Sequence, residues 1–290
     1  MSWSERQRLM LQEMGLRVWA STAIEAREAR EAPVATPPET PPVPAGGRPV
    51  PIAALAAPPA GMDVPPAVVD VPAAVVAMPP DERAAAIAAM PWPALRDAVA
   101  QCTACALCQS RRQTVFGVGH AQARWMIVGE APGEQEDLKG EPFVGAAGQL
   151  LDSMLRALKL TRGEAAPEQQ VYIANTLKCR PPRNRNPEPD ELARCEPFLL
   201  RQIELIRPRI ILAMGRFAVQ SLLRSSEPVG KLRGRVHRYQ GVPLVVTYHP
   251  AYLLRNLADK SRAWDDLCLA AQIVDAADAA GAAGAAPAPP

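Results

Sequence analysis

Residues 125–137, WMIVGEAPGEQED, set four consecutive apolar side chains, Trp125 to Val128, against a turn built on Gly129, Pro132 and Gly133. A short apolar run that ends in a Gly/Pro turn reads as a strand buried on both faces, as parallel strands under helices are. The same alternation continues downstream. Residues 149–158 read as a helix and 171–175, VYIAN, as a second strand. Residues 189–206 read as a helix with Pro189 in its first turn, where a missing N–H forfeits no bond. A third strand, RIILAM at 209–214, runs into Gly215 and a helix to Leu223. A fourth, PLVVT at 243–247, ends at Tyr248, His249 and Pro250, and 262–274 form a last helix. Strands alternating with helices predict an α/β fold: three layers, α/β/α, around a central, mostly parallel four-stranded sheet. Ligands of such sheets sit beyond the carboxyl ends of the strands, and Glu130, Asn175, Gly215 and His249 all fall just past those ends.

Residues 81–100 carry helical patterns interrupted by Pro91 and Pro93 and join this domain, which is taken as 81–274. Upstream the composition changes: 15 of the 32 prolines lie between 31 and 80, among Ala and Val with no amphipathic period. Such a stretch buries too little surface to offset its ordering entropy, so 31–80 is expected to be a disordered linker. Residues 1–30 set Leu9, Leu11, Met14, Leu16, Val18 and Trp19 among charges. They read as a short amphipathic helical segment, either a solubilising tail or a docking site for a partner protein. The Ala/Gly/Pro tail, 275–290, is expected to be unstructured.

The formal net charge of +2 hides an asymmetry, because residues 100–272 hold 24 Lys/Arg against 17 Asp/Glu. That surplus favours a polyanionic partner. No apolar run is long enough to span a bilayer and no basic-then-apolar leader opens the chain, so a cytoplasmic location with no membrane partner is expected. In a reducing compartment the six cysteines are metal ligands or core residues before they are disulfides. Cys102 and Cys105 are spaced C-x2-C, and Cys179 and Cys195 C-x15-C. Two local pairs of thiolates suit a tetrahedral metal or an iron–sulfur cluster, and spacing alone does not choose between zinc and iron. Cys105 and Cys108 form a rival C-x2-C pair; Cys108 is treated as a spare thiol, and Cys268, among Leu267, Leu269 and Ala271, as a core residue.

The blocks CTAC (102–105), VFGVG (115–119), VGEAPGEQED (128–137), GEPFVGAAGQLLD (140–152), VYIANTLKCRPPRNRNP (171–187) and YHPAYLLRN (248–256) occur in order, with the Cys195 helix before the last. Together they resemble the type-4 uracil-DNA glycosylases, 4Fe–4S members of the uracil-DNA glycosylase superfamily, over about residues 100 to 272. The resemblance implies a monomeric enzyme that flips uracil from DNA and hydrolyses its N-glycosidic bond, leaving an abasic site in base-excision repair. It places the 4Fe–4S ligands on Cys102, Cys105, Cys179 and Cys195, in a structural role. The Arg and VFG strand that follow the first pair favour it over Cys105 and Cys108.

The implied reaction passes through an oxocarbenium-like sugar with uracil leaving as an anion, so the base must be extracted, recognised and stabilised, and a water placed against the sugar. The resemblance assigns stacking on uracil to Phe143 and reading of its edge to Asn175, whose amide offers the donor and acceptor that O4 and N3–H require. It sets His249 opposite uracil O2, where a donor stabilises the developing charge. Glu130 and Ala131 line the pocket and orient the water, with Glu136 a second candidate for that task and Asn184 positioning water or substrate. Arg180, Arg183 and Arg185 are expected on the phosphates. Tyr252, Leu253, Leu254 and Arg255 follow on a loop that enters the vacated base position. Three alternatives stand beside this reading: a non-catalytic iron–sulfur DNA-binding module attached to a polymerase or repair complex, a glycosylase for another deaminated base, and a zinc-stabilised α/β hydrolase acting on another nucleotide substrate.

Overall fold

A computed structural model describes residues 82–284, so the expected amphipathic segment (1–30) and linker (31–80) lie outside the described residues. Two helices lead in, α1 (Glu82–Ala88) and α2 (Trp92–Ala100), with Pro91 at the α2 N-cap and Pro93 in its first turn. The chain continues through β1 (Val118–Gly119), β2 (Trp125–Gly129), α3 (Glu134–Lys139), α4 (Ala146–Ala157) and β3 (Val171–Asn175). Then come α5 (Pro189–Ile206), β4 (Ile210–Met214), α6 (Arg216–Leu223) and α7 (Val229–Leu232). Strands β5 (Val236–Tyr239) and β6 (Val242–Thr247), helix α8 (Pro250–Leu253) and helix α9 (Lys260–Gly284) complete it.

The sheet order is β1-β3-β2-β4-β6-β5. Its four central strands, β3, β2, β4 and β6, are parallel and are the four expected from the apolar runs. Period-two alternation divides their side chains between two cores. Ile127, Ile173, Leu212 and Val245 pack on one face with Leu151, Leu155, Trp264 and Leu267. Met126, Ile211, Leu244 and Val246 pack on the other with Leu199, Ile203, Val219 and Leu222. Each such side chain, fully buried, contributes roughly 1.5–3 kcal/mol before entropy is charged against it.

Three features depart from expectation. The sheet gains two antiparallel edge strands, β1 and β5, making six. Strand β1 is only two residues long and lies against β3 because Gly119 carries no side chain: a Cβ there would stand 1.9 Å from the Val171 carbonyl oxygen. Strand β5 joins β6 through Gln240 and Gly241, both at positive φ (49° and 79°), the backbone of a two-residue type I′ hairpin. The tail expected to be unstructured from Asp275 is instead helical as far as Gly284. Alanine favours helix there, and Asp278 pairs with Arg124 and Arg209, the residues just before β2 and β4. No helix among the described residues is long and apolar enough to cross a membrane.

Candidate active site

The carboxyl ends of β2, β3 and β6 open onto a cleft of about 480 Å3. Seven residues expected around a base, Glu130, Ala131, Glu136, Phe143, Asn175, Asn184 and His249, all line it. Phe143 sits in the loop between α3 and α4 with φ 55°, a left-handed conformation that costs a bulky residue of order 1–3 kcal/mol. Neighbours on both sides hold it there. Glu136 Oε1 accepts the N–H groups of Val144 (3.0 Å) and Gly145 (3.3 Å). Arg162 Nη1 donates to the Pro142 carbonyl at 2.7 Å while the same guanidinium pairs with Asp152. Two glycines make room for the ring and its backbone. A Cβ on Gly129 would stand 2.7 Å from Phe143 Cζ and 2.4 Å from Asn175 Oδ1, and one on Gly148 would stand 1.7 Å from the Phe143 carbonyl oxygen.

The Phe143 ring stacks on the His249 imidazole, centroids 5.3 Å apart and planes 26° from parallel. His249 caps α8, and its Nδ1 accepts the Ala251 N–H at 3.1 Å. That bond puts the proton of the neutral ring on Nε2. Burial, reinforced by Arg255 and opposed by Glu136, lowers the His249 pKa to about 4, so the ring is neutral at pH 7. Asn175 is the last residue of β3 and is 2% exposed. Its carbonyl accepts Lys178 Nζ at 2.9 Å. No described residue hydrogen-bonds its side-chain amide, which leaves a donor and an acceptor to the cleft. Burial raises the Glu130 carboxyl to about 7 against the pull of Arg216. The Glu130 backbone is pinned by the Thr176 hydroxyl (2.6 Å) and the Leu177 N–H (3.0 Å).

The other expected residues divide. Asn184 Oδ1 accepts Arg180 Nε at 2.8 Å at the cleft rim. Arg183 is exposed, and Arg255 is exposed beside the cleft. Arg185 borders the cleft, but its Nη1 donates to Glu191 Oε2 at 3.0 Å, and its charge is largely answered there. The Tyr252 ring stacks on Tyr248 at 5.1 Å, and its hydroxyl donates to Asp259 at 2.7 Å. Leu253 requires correction. It is wholly buried in the core, because α8 turns it inward, and the leucines that residues 250–260 leave at the surface are Leu254 (43% exposed) and Leu257 (53% exposed). Glu136 and Arg162 as clamps of the Phe143 loop, and Arg216 beside Glu130, were not legible in the sequence, since each acts through a contact made only on folding.

Cys102, Cys105, Cys179 and Cys195 line one small void with Arg111, Lys178 and Phe198, and Cys108 is not among the lining residues. Donors reach three of the sulfurs: Arg111 Nη1 to Cys179 (3.1 Å), the Lys178 N–H to Cys195 (3.3 Å) and Arg83 Nη2 to Cys102 (3.6 Å). Among the described residues no group of three or more His, Cys, Asp or Glu side chains is arranged to hold a single metal ion. Cys268 packs against the core, as expected.

A family model described as the uracil DNA glycosylase superfamily matches residues 116–268. A type-4 uracil-DNA glycosylase of Archaeoglobus fulgidus is 43% identical over 164 residues, 54% of this chain and 79% of that protein. One from Thermotoga maritima is 43% identical over 166 residues, 57% of this chain and 83% of its own length. A third, from Pyrobaculum aerophilum, is 40% identical over 185 residues, covering 60% and 90%.

Proposed function

Since the chain belongs to the uracil-DNA glycosylase superfamily, we propose that it excises uracil from DNA as the first step of base-excision repair, hydrolysing the N-glycosidic bond to leave an abasic site. The observation that carries this reading is the meeting of Phe143, His249 and the Asn175 amide at one cleft. A flipped base needs a flat apolar surface, a paired edge and a donor where charge develops. The Phe143 ring supplies the surface. The amide of Asn175 pairs with uracil O4 and N3–H, a pattern that cytosine reverses. The neutral His249 keeps its Nε2–H for the oxygen that turns anionic as the bond breaks, and it surrenders no proton in doing so. A preorganised donor of this kind lowers the barrier by about 3 kcal/mol. Glu130, with a carboxyl near 7, is the residue suited to take a proton from water. Glu136 has one oxygen committed to the Phe143 loop and acts through that loop.

The same reading assigns a 4Fe–4S cluster to Cys102, Cys105, Cys179 and Cys195. Four thiols around one void, with N–H donors directed at three of them, support the assignment. Bound, the cluster would tie the 102–105 loop to α5 and the end of β3 and take no part in bond cleavage. Arg180, Arg183 and Arg255, with Leu254 at the tip of the loop after His249, form the surface for phosphates and the vacated base position. The substrate is uracil-containing DNA, and the expected location is the cytoplasm.

The test is direct. Purified protein is incubated with an oligonucleotide bearing one uracil, then with hot alkali, beside hypoxanthine and xanthine substrates. Strand scission at uracil is expected. DNA binding without scission would leave a non-catalytic module, and faster scission at hypoxanthine would change the base. Iron and sulfide in anaerobically prepared protein, reduced by Cys179→Ala and unchanged by Cys108→Ala, test the ligand set.

A further inference from the structure

Lys178 is 1% exposed, one of the larger side chains sealed in the interior. Taking an ammonium out of water is costly unless its charge is answered. Its Nζ donates to two neutral oxygens, the Asn175 carbonyl at 2.9 Å and Gln202 Oε1 at 2.7 Å. Gln202 is itself wholly buried and spends its amide on the Phe116 carbonyl (2.9 Å) and the Tyr172 hydroxyl (3.0 Å). No carboxylate among the described residues pairs with Lys178. Lys178 lines the same small void as Cys102, Cys105, Cys179 and Cys195. Its own backbone N–H donates to Cys195 Sγ.

One residue therefore touches both the cysteine void and the strand end that carries Asn175. We propose that Lys178 is a positioning residue that couples the four-cysteine centre to uracil recognition, by gripping the Asn175 carbonyl and so fixing where the Asn175 amide meets the base. The geometry is short and stiff. Only Thr176 and Leu177 separate the carbonyl residue from the lysine that holds it, and Gln202 fixes the ammonium from α5, the helix that also carries Cys195. The Cys195 sulfur holds the Lys178 backbone, the Lys178 ammonium holds the Asn175 carbonyl, and the amide is ready before the base arrives. The proposal rests on Asn175 being the residue that reads uracil.

The experiment is a double-mutant cycle on the iron-loaded enzyme. Lys178→Met keeps the apolar stem and removes the three N–H donors. It is expected to lower kcat for uracil release by about 10- to 100-fold, with KM, affinity for uracil-free DNA and iron content each within about twofold of wild type. In an Asn175→Ala background the same change is expected to cost less than about twofold further, because its effect passes through the side chain already removed. A purely structural role would cost the same in both backgrounds. Wild-type kcat in iron-loaded Lys178→Met, or an undiminished loss beside Asn175→Ala, overturns the proposal. If Lys178→Met loses iron or fails to fold, Gln202→Leu, which removes one anchor of the ammonium and no cysteine contact, is measured in the same cycle. Wild-type kcat there, or loss of soluble protein from both variants, also overturns it. Failure of the wild-type enzyme to release uracil would instead bring down the proposed function, and this coupling with it.

Discussion

His249 and Glu130 border one cleft, and burial moves them in opposite directions, the imidazole down to about 4 and the carboxyl up to about 7. Both are thereby held neutral over a wide range, which suits a donor at once and a base only above neutrality. We expect kcat/KM to rise with pH through about 7 as Glu130 ionises, and Glu130→Gln to flatten that rise while lowering the plateau. His249→Ala should lower kcat by about 100-fold or more with little change in DNA affinity. Glu130 also carries a stability signature. Its folded pKa lies above the usual 4.5, so the folded state holds the proton longer and stability is lost as pH rises from about 4.5 through 7. Glu130→Gln should therefore melt higher than wild type at pH 8 and converge with it near pH 4.5. The identities of these residues were legible in their motifs. The His249 tautomer was not, because it follows from the N–H of Ala251 on a one-turn helix.

The Phe143 loop shows how strands and helices hold a strained residue. Phe143 keeps its left-handed backbone only while Glu136, Arg162 and two glycines surround it. Gly129→Ala would drive a methyl into both the Phe143 ring and the Asn175 amide. Overpacking of this kind costs about 1–3 kcal/mol. We expect a lowered melting temperature and a fall in kcat/KM of about 100-fold, larger than the stability loss alone would give. At the start of α5 the capping box of Glu188 and Glu191 leaves Glu191 to bind Arg185 as well. The four parallel strands could be read from apolar runs because both faces are covered. The β5 edge strand could not, since VHRY exposes Arg238 and its turn uses Gln240 where Asn or Asp is the usual signal. Leu253 was misplaced for a related reason: the YHPAYLLRN block reads as a loop, and one turn of helix decides which leucine faces inward.

The whole domain gathers its chemistry at one pole of the sheet. The arginines beside the cleft are exposed to different degrees, and the affinity they confer should be lost with salt. Raising NaCl from about 50 to 200 mM should raise KM for DNA, and Arg183→Ala should reduce the slope of log KM against log salt by about 1. Arg185→Ala should change that slope less, because Glu191 already neutralises it. The end of the sheet at which the candidate residues gather was readable from the alternation of elements. The helical stretch from Asp275 to Gly284 was not: an Ala/Gly run has no apolar face to announce packing, and among the described residues it is anchored by the ion pairs of Asp278 with Arg124 and Arg209. Those two arginines precede β2 and β4, so Asp278 fastens α9 at the amino ends of the strands, opposite the cleft. Helix α9 thus runs toward the pole of the sheet opposite the cleft. A fluorescent protein fused directly after Gly284 should therefore leave kcat/KM for uracil release unchanged, whereas one inserted between Asn256 and Ser261, on the cleft side of the sheet, should lower it.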